Sequence, residues 1–406
     1  MSTRAGLWVS FVLVHVIVAA LGFVWPSQPM GDVYFVYEPW SLNALAGRSI
    51  VGITEAWVYP QWALLPMVLA HAFEWIAGYE IAWALLVTLA DALAFAVLLG
   101  NGRSRGRVTA AAFWLAFTLL LGPVGMYRLD AITVPLAIAG CLWLVGRPAL
   151  ASTLLAIATW MKVWPAALLA TAVIVLRSRL TVIAGALVVT GATILVIVLG
   201  GGSSFVFGFV AGQTERGLQL EAPVSAYYLW RAVAGIEGSF IFYDPTILTF
   251  QVTGPQVDTV IAVMTPLLVV AALAVAALGA FKAWRGAGFA ALFAPLALAL
   301  VLTFWAVNKV GSPQFLTWII APIALGLVIN RKRWFGIAIT ALVAAGLTQI
   351  VYPLLYDKLL TAAPIAAAAL TARNALMIAL LVWSVVLVAG VPVAAQRRLS
   401  FLPLQS

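Results

Sequence analysis

Apolar runs of about 20 residues, each long enough to cross a bilayer, recur from one end of the chain to the other, separated by short polar segments. The pattern predicts helices over residues 7–24, 81–99, 108–122, 131–146, 180–199, 258–280, 287–305, 315–330, 335–350 and about 375–394. Two stretches do not fit a simple span. Residues 62–73 are flanked or broken by Pro60, Pro66, His71 and Glu74. They lie where two apolar stretches meet a count that allows one net crossing, so they are read as re-entrant or interfacial. Residues 150–176 are too long for one span and are interrupted by Trp160-Met161-Lys162-Val163-Trp164-Pro165. They read as two half-helices that rise and fall with Lys162 at the apex, an arrangement tolerated where broken backbone lines protein or a cavity. Outer loops are expected at 26–58, with short helices in the interface, and at about 201–257.

Composition agrees: 65% of residues are hydrophobic and 9% charged, against about a quarter charged in soluble domains. The fold class is all-α integral membrane, one polytopic domain over residues 1–406, with about 10–12 transmembrane helices and re-entrant or interfacial pieces. Residues 7–24 lack a convincing small-x-small cleavage site before Trp25-Pro26 and read as an anchor, not a signal peptide. The single Cys141 excludes an intrachain disulfide and a cysteine metal site.

Charge orients the chain. Fourteen of 22 Lys and Arg sit in short loops without acids: Arg4, Arg103, Arg105, Arg107, Arg147, Arg177, Arg179, Lys282, Arg285, Arg331, Lys332, Arg333, Arg397 and Arg398. The positive-inside rule puts these in the cytoplasm. The other eight basic residues share segments with ten of the 13 acids, so the reactive face is expected outside the cytoplasm of a cell membrane. The net charge of +9 suits anionic lipid headgroups; scattered through short loops, it does not indicate nucleic acid.

Six groups can carry chemistry. Gly31-Asp32-Val33-Tyr34-Phe35-Val36-Tyr37-Glu38 follows the first helix and offers two carboxylates among tyrosines. Asp32 can deprotonate an attacking hydroxyl, or simply cap a membrane helix. Trp57-Val58-Tyr59-Pro60-Gln61-Trp62 is a sugar-stacking surface or an ordinary aromatic belt. In Tyr127-Arg128-Leu129-Asp130 the two charges pair with each other, or hold a phosphate and steady a base. Lys162, a lysine inside an apolar run with no nearby acid in sequence, is a functional candidate by default. Gln213-Thr214-Glu215-Arg216-Gly217-Leu218-Gln219-Leu220-Glu221 is the longest polar run of the outer half. Asn308-Lys309-Val310-Gly311-Ser312-Pro313-Gln314 joins two apolar helices and suits an anionic headgroup, or only reverses the chain. Asp91 reads as a tertiary contact inside the bundle, and His15 and His71 as structural. No Asp-x-Asp or Glu-x-Asp is present, so neither metal nor cofactor is expected.

In this order these groups resemble the GT-C class of membrane glycosyltransferases, and more closely glycosyltransferase family 87, the actinobacterial mannosyltransferases that use polyprenyl-phosphate mannose. Gly31-Asp32-Val33 with Tyr37 resembles the family's first-loop acid, Val58-Tyr59-Pro60 its Tyr-Pro-Pro, Tyr127-Arg128-Leu129-Asp130 its Arg-Phe-Asp and Lys162-Val163-Trp164-Pro165 its Lys-x-x-Pro. Arg216-Gly217-Leu218-Gln219-Leu220-Glu221 resembles its Arg-Gly-Leu-Gln-x-Glu-Ser, and Lys309-Val310 with Ser312-Pro313-Gln314 its Lys-Val-x-Ser-Pro-Gln. Gln61 and Ala222 depart from the pattern. The resemblance implies a GT-C-like bundle and inverting transfer of a sugar, mannose in that family, from polyprenyl phosphate to a hydroxyl of a cell-envelope glycolipid or glycan. Asp32 is then the base, and Lys309, Lys162, Arg128 and Arg216 meet the donor phosphate. Glu38, Tyr37, Tyr59, Gln61, Asp130, Glu221 and Gln314 are the expected substrate contacts. The rival is a transporter or flippase of lipid-linked saccharides, which would place its site near the midplane and often shows repeats; no repeat is visible here.

Overall fold

The computed structural model describes residues 3–214 and 216–393, without the side chains of residues 211, 213 and 214. Eleven principal helices follow in chain order. They are α1 (Thr3–Val24), α2 (Tyr79–Leu99), α3 (Arg105–Leu121), α4 (Asp130–Trp143), α5 (Pro148–Met161), α6 (Ala166–Val175), α7 (Arg179–Leu199), α8 (Val257–Trp284), α9 (Phe289–Ala306), α10 (Ile320–Gln349) and α11 (Pro364–Ala389). Their ends are written in the sequence. Ser104 caps α3 by accepting the Arg107 N–H at 3.5 Å, and α3 stops at Gly122, whose φ of 66° suits glycine.

Eight helical segments among the described residues are long and apolar enough to cross a membrane, so the protein is a multi-pass, all-α membrane protein. The expected 10–12 spans are not matched one for one, for two physical reasons. The helical segment Pro313–Leu354 counts once, although its backbone leaves helical geometry at Asn330 (φ −147°, ψ 80°). And α4, α5 and α6 have only 14, 14 and 10 residues, about 15–21 Å of helix, shorter than the roughly 30 Å hydrocarbon core. The break at Lys162 is present: the residue is extended (φ −152°, ψ 134°) between α5 and α6. The 61–77 stretch breaks into Gln61–Ala63, Leu64–Ala70, His71–Phe73 and Glu74–Ala77, none long enough to cross. The last helix starts at Pro364, earlier than the expected 375, because a proline at its first turn leads straight into an alanine-rich run. The segment after α7 also holds an antiparallel hairpin, β1 (Phe240–Asp244) and β2 (Thr249–Thr253), which an all-helical expectation does not include.

Lipid does not squeeze apolar helices together as water does, so close packing relies on small residues. Gly140 of α4 sits against Leu155 of α5, Gly185 of α7 against Ser152, and Gly279 of α8 against Leu296 of α9. Ser152 adds a hydrogen bond to the Val182 carbonyl at 2.5 Å. The centre is α9, in which every residue from 292 to 303 is buried, whereas α8 buries only Met264 and Gly279.

The two ends of the bundle differ in charge. At one end Arg4 packs on Gly102, Gly106 fits against the Leu327 and Val328 carbonyls, and Lys282 donates to the carbonyls of Ala389 and Val391. This gathers the basic loops around residues 4, 103–107, 282–285 and 331–333; Arg397 and Arg398 lie outside the described residues. At the other end Gly122 meets Trp25 and Gln349. The described acids fall at this second end, except Asp91, which pairs with His15 inside the bundle at 3.1 Å.

Candidate functional site

At the acid-bearing end the chain leaves α1, turns through residues 27–31 and enters a π-helix, Val33–Tyr37, with Asp32 at its N-cap. Single π-turns are frequent at functional sites. Val33 and Tyr37 are its anchors, both buried. The Tyr37 hydroxyl accepts the Leu129 N–H at 3.0 Å, and its ring lies 4.9 Å from that of Trp83. Tyr37 therefore clamps the π-turn to residues 128–130, which sets Asp32 opposite Arg128. Burial raises the Tyr37 pKa well above the usual tyrosine range. Its ring lies in the packing rather than at an open surface.

Arg128 Nε stands 3.3 Å from Asp32 Oδ2. Its other nitrogens donate to the carbonyls of Pro29 (3.0 Å) and Tyr127 (3.1 Å) and to the Tyr352 hydroxyl (3.2 Å). The Tyr352 hydroxyl in turn donates to the Ser27 carbonyl at 3.2 Å. Burial disfavours the guanidinium, but Asp32 outweighs it and the Arg128 pKa is raised. The Asp32 side chain is 35% exposed and that of Arg128 only 9%, so the carboxylate faces open space and the arginine backs it. In this structure Arg128 is engaged by Asp32 and its loop.

Asp130 begins α4 and is fully buried. Lys162 reaches it from the α5–α6 break, Nζ to Oδ2 at 3.3 Å, and Trp318 Nε1 donates to Oδ1 at 2.6 Å. The ammonium also lies over the rings of Tyr59 (4.7 Å) and Phe315 (5.5 Å), an aromatic seat suited to a cation. Phe315 stacks on Trp318, and Trp318 on Trp164. Arg128 and Asp130 do not pair with each other; each takes a partner from a distant segment. Asp130 holds Lys162 and is closed off from solvent in this structure. Its partner answers the missing counter-charge that made Lys162 conspicuous.

Arg216 and Lys309 form a second cationic group. Lys309 is 4% exposed, and burial together with the Arg216 charge lowers its pKa. Their loops are joined: Gln219 N–H donates to the Lys309 carbonyl at 3.0 Å, and Gln219 Oε1 accepts from Gly311 N and Ser312 Oγ at 3.0 and 3.1 Å. A side chain on Gly311 would strike the Ala222 backbone, so glycine is required for this approach. Glu215 lies outside the described residues.

Glu221 is buried at the end of that loop. Burial raises its pKa, with the Tyr356 hydrogen bond (2.7 Å) and Arg373 opposing. Tyr356 meets Tyr352 edge to face at 4.8 Å, which links Glu221 to the Arg128–Asp32 pair through two tyrosines. Beyond Glu221 lies Arg373 of α11, 1% exposed. Its NH2 reaches the Glu221 carbonyl at 3.4 Å, its guanidinium lies over Trp305 at 5.7 Å, and its Nε and NH1 have no partner among the described residues.

The remaining expected contacts divide. Tyr59 belongs to the Lys162 seat, and Gln314 directly precedes Phe315 of that seat. Gln61 does not face a site: its Nε2 staples the carbonyls of Gly52 and Phe205 at 3.2 and 3.1 Å. Glu38 is half-buried, and burial, then Glu80 and Glu74, raise its pKa; none of these groups belongs to the Asp32 cluster. His71 pairs with Glu74 at 2.5 Å. Among the described residues no three His, Cys, Asp or Glu side chains form a metal-binding group. Tyr352, Tyr356, Trp318 and Arg373 are the neighbours that sequence reasoning missed. Arg373 had a signal, a charge beside the last apolar run; the others look like interface aromatics. Comparison of the chain with protein-family models, with curated proteins and with solved structures finds no match.

Proposed function

We propose that the protein is a membrane glycosyltransferase of GT-C-like architecture, transferring a sugar, in the first instance mannose, from polyprenyl phosphate to a hydroxyl of a cell-envelope glycolipid or glycan. The observation that carries this reading is the Asp32–Arg128 pair: a partly exposed carboxylate, backed by a buried guanidinium, at the end of the bundle where the acids gather. The positive-inside rule makes that end extracytoplasmic.

In the proposed step the acceptor oxygen attacks the anomeric carbon from the face opposite the phosphate. Its proton passes to an Asp32 carboxylate oxygen as the new C–O bond forms. The bond from the anomeric carbon to the phosphate oxygen breaks, and the electron pair leaves with polyprenyl phosphate. Attack from the opposite face inverts the anomeric centre. Arg128 holds the Asp32 carboxylate in place. Arg216 and Lys309 face the charge that grows on the leaving phosphate, the term that usually dominates such catalysis. The Lys162–Asp130 pair, seated between Tyr59 and Phe315, supports the floor beside them. Nothing in the step calls for a metal or a cofactor.

The test uses purified protein in liposomes with polyprenyl-phosphate mannose and extracted envelope glycolipids as acceptors. The reading expects a new glycosidic bond of inverted anomeric configuration. Movement of the donor between leaflets with no new bond would replace it with the flippase reading.

A further inference from the structure

At the opposite, basic end the turn at Asn330 opens a cavity of about 240 Å³ between α9, α10 and α11. Ala291, Pro295 and Leu387 give it apolar walls, Trp334 stands at its side, and Asn330 and Arg333 are its polar lining. The turn is built in. Asn330 Oδ1 accepts the Arg333 N–H at 3.2 Å, capping the helix that restarts there. Trp334 folds back onto Gly326, where a side chain would collide with its ring. The volume is too small for a whole lipid, but it accommodates the glycerol region and the first carbons of an acyl chain.

The charge around this cavity has one sign. Arg331, Lys332 and Arg333 are exposed beside it, Arg285 is exposed at the end of α8, and no described acid lies at this end. Lys282 is occupied, donating to the last carbonyls of α11. The N–H groups that open the helix after Asn330 add positive potential. An apolar slot with a guanidinium at its mouth and a tryptophan beside it matches a phosphodiester joined to hydrocarbon, and its positive charge favours an anionic headgroup over a zwitterionic one.

We propose that this cavity binds an anionic phospholipid, with the phosphate on Arg333 and the Asn330 amide, and the glycerol and upper acyl carbons between Ala291, Pro295 and Leu387. The site is separate from the Asp32 end and does not depend on the reaction proposed there. It would hold the kink in α10, whose far end supplies Tyr352 to the Asp32 loop, in one geometry.

The experiment is native mass spectrometry of the delipidated full-length protein titrated with phosphatidylglycerol or phosphatidylcholine of identical acyl chains. Wild type should retain one phosphatidylglycerol in clear preference to phosphatidylcholine. Arg333→Gln, at an exposed position, should lower that preference roughly fivefold, the equivalent of one interfacial cation. Ala291→Phe should lower retention of both lipids by filling the slot, while Arg48→Gln, exposed at the acid-bearing end, should leave selective retention near wild type. Equal retention of the two lipids by wild type, unchanged retention in Arg333→Gln, or displacement of the lipid by inorganic phosphate at millimolar concentration would overturn the proposal.

Discussion

The Asp130–Lys162 pair allows the sharpest test of how this structure is held together. At 3.3 Å and an effective dielectric of about 20, the Coulomb attraction is about 5 kcal/mol. Desolvation of two buried ions consumes much of that, so the pair as a whole contributes little net stability. Removing one partner is another matter. Lys162→Met leaves a carboxylate that is fully buried and held only by the Trp318 N–H; Asp130→Asn leaves an ammonium with its aromatic seat and no counter-charge. Each single change should cost about 3–5 kcal/mol. The double change, Asp130→Asn with Lys162→Met, keeps the volumes and removes both charges. It should cost less than either single change, which means a coupling of more than about 3 kcal/mol. Equilibrium unfolding of the four proteins in mixed micelles measures the cycle. If the two single costs simply add in the double variant, the charges do not act on each other and the pairing that organises the α5–α6 break is refuted. Sugar transfer measured on the double variant separates the roles further: a structural lysine lets activity return with stability, whereas a lysine acting on donor does not.

Two other outcomes follow from the second cationic group and from α11. The Lys309 pKa is lowered, so the folded protein disfavours its ammonium. That costs stability below the lowered pKa, and the cost is relieved as pH rises from there toward the ordinary lysine value near 10.4. A phosphate prefers the ammonium, so the KM for the polyprenyl-phosphate donor should rise with pH earlier than an ordinary lysine would dictate, and Lys309→Arg should move that limb upward. A donor KM that stays flat to about pH 10 would contradict it. Arg373 is buried with two unpartnered nitrogens; Arg373→Met should raise stability by about 1 kcal/mol while lowering transfer, since a buried charge without full partners is retained at a stability cost. A loss of more than about 2 kcal/mol in the unfolding assay would show that Arg373 is instead a net structural support.

Much of the architecture is legible from periodicity and charge, because a membrane imposes simple rules on length and on the placement of arginine and lysine. The broken helix at Lys162 was visible because a lysine with Trp160, Trp164 and Pro165 cannot continue an apolar span. Its partner was not visible. Asp130 is near Arg128 in sequence, and local reasoning pairs those two, but helix direction sends Arg128 toward the 27–32 loop and Asp130 into the core. Tyr37 and Gln61 looked like substrate contacts because aromatic and amide side chains at an interface suit sugars; in the fold one clamps a π-turn and the other staples two loops. The hairpin at Phe240–Thr253 is only five residues per strand and sits in a long polar segment, and Arg373 lies before the purely apolar part of its helix, which starts at Pro364. The partners of Lys162, Tyr37 and Gln61 come from distant segments, which a single sequence does not encode locally, whereas the hairpin and the start of the last helix are local features.

The central claim is that Asp32 takes the acceptor proton, and one measurement bears on it most directly: sugar transfer by purified Asp32→Asn, alongside donor binding by the same protein. Asparagine keeps the size of the side chain and the contact with Arg128 but cannot accept the proton. Loss of general-base catalysis is worth about 10²–10⁴-fold, so kcat should fall by that range with donor affinity within about twofold of wild type. Transfer at the wild-type rate, with the same pH profile, would remove Asp32 from the chemistry.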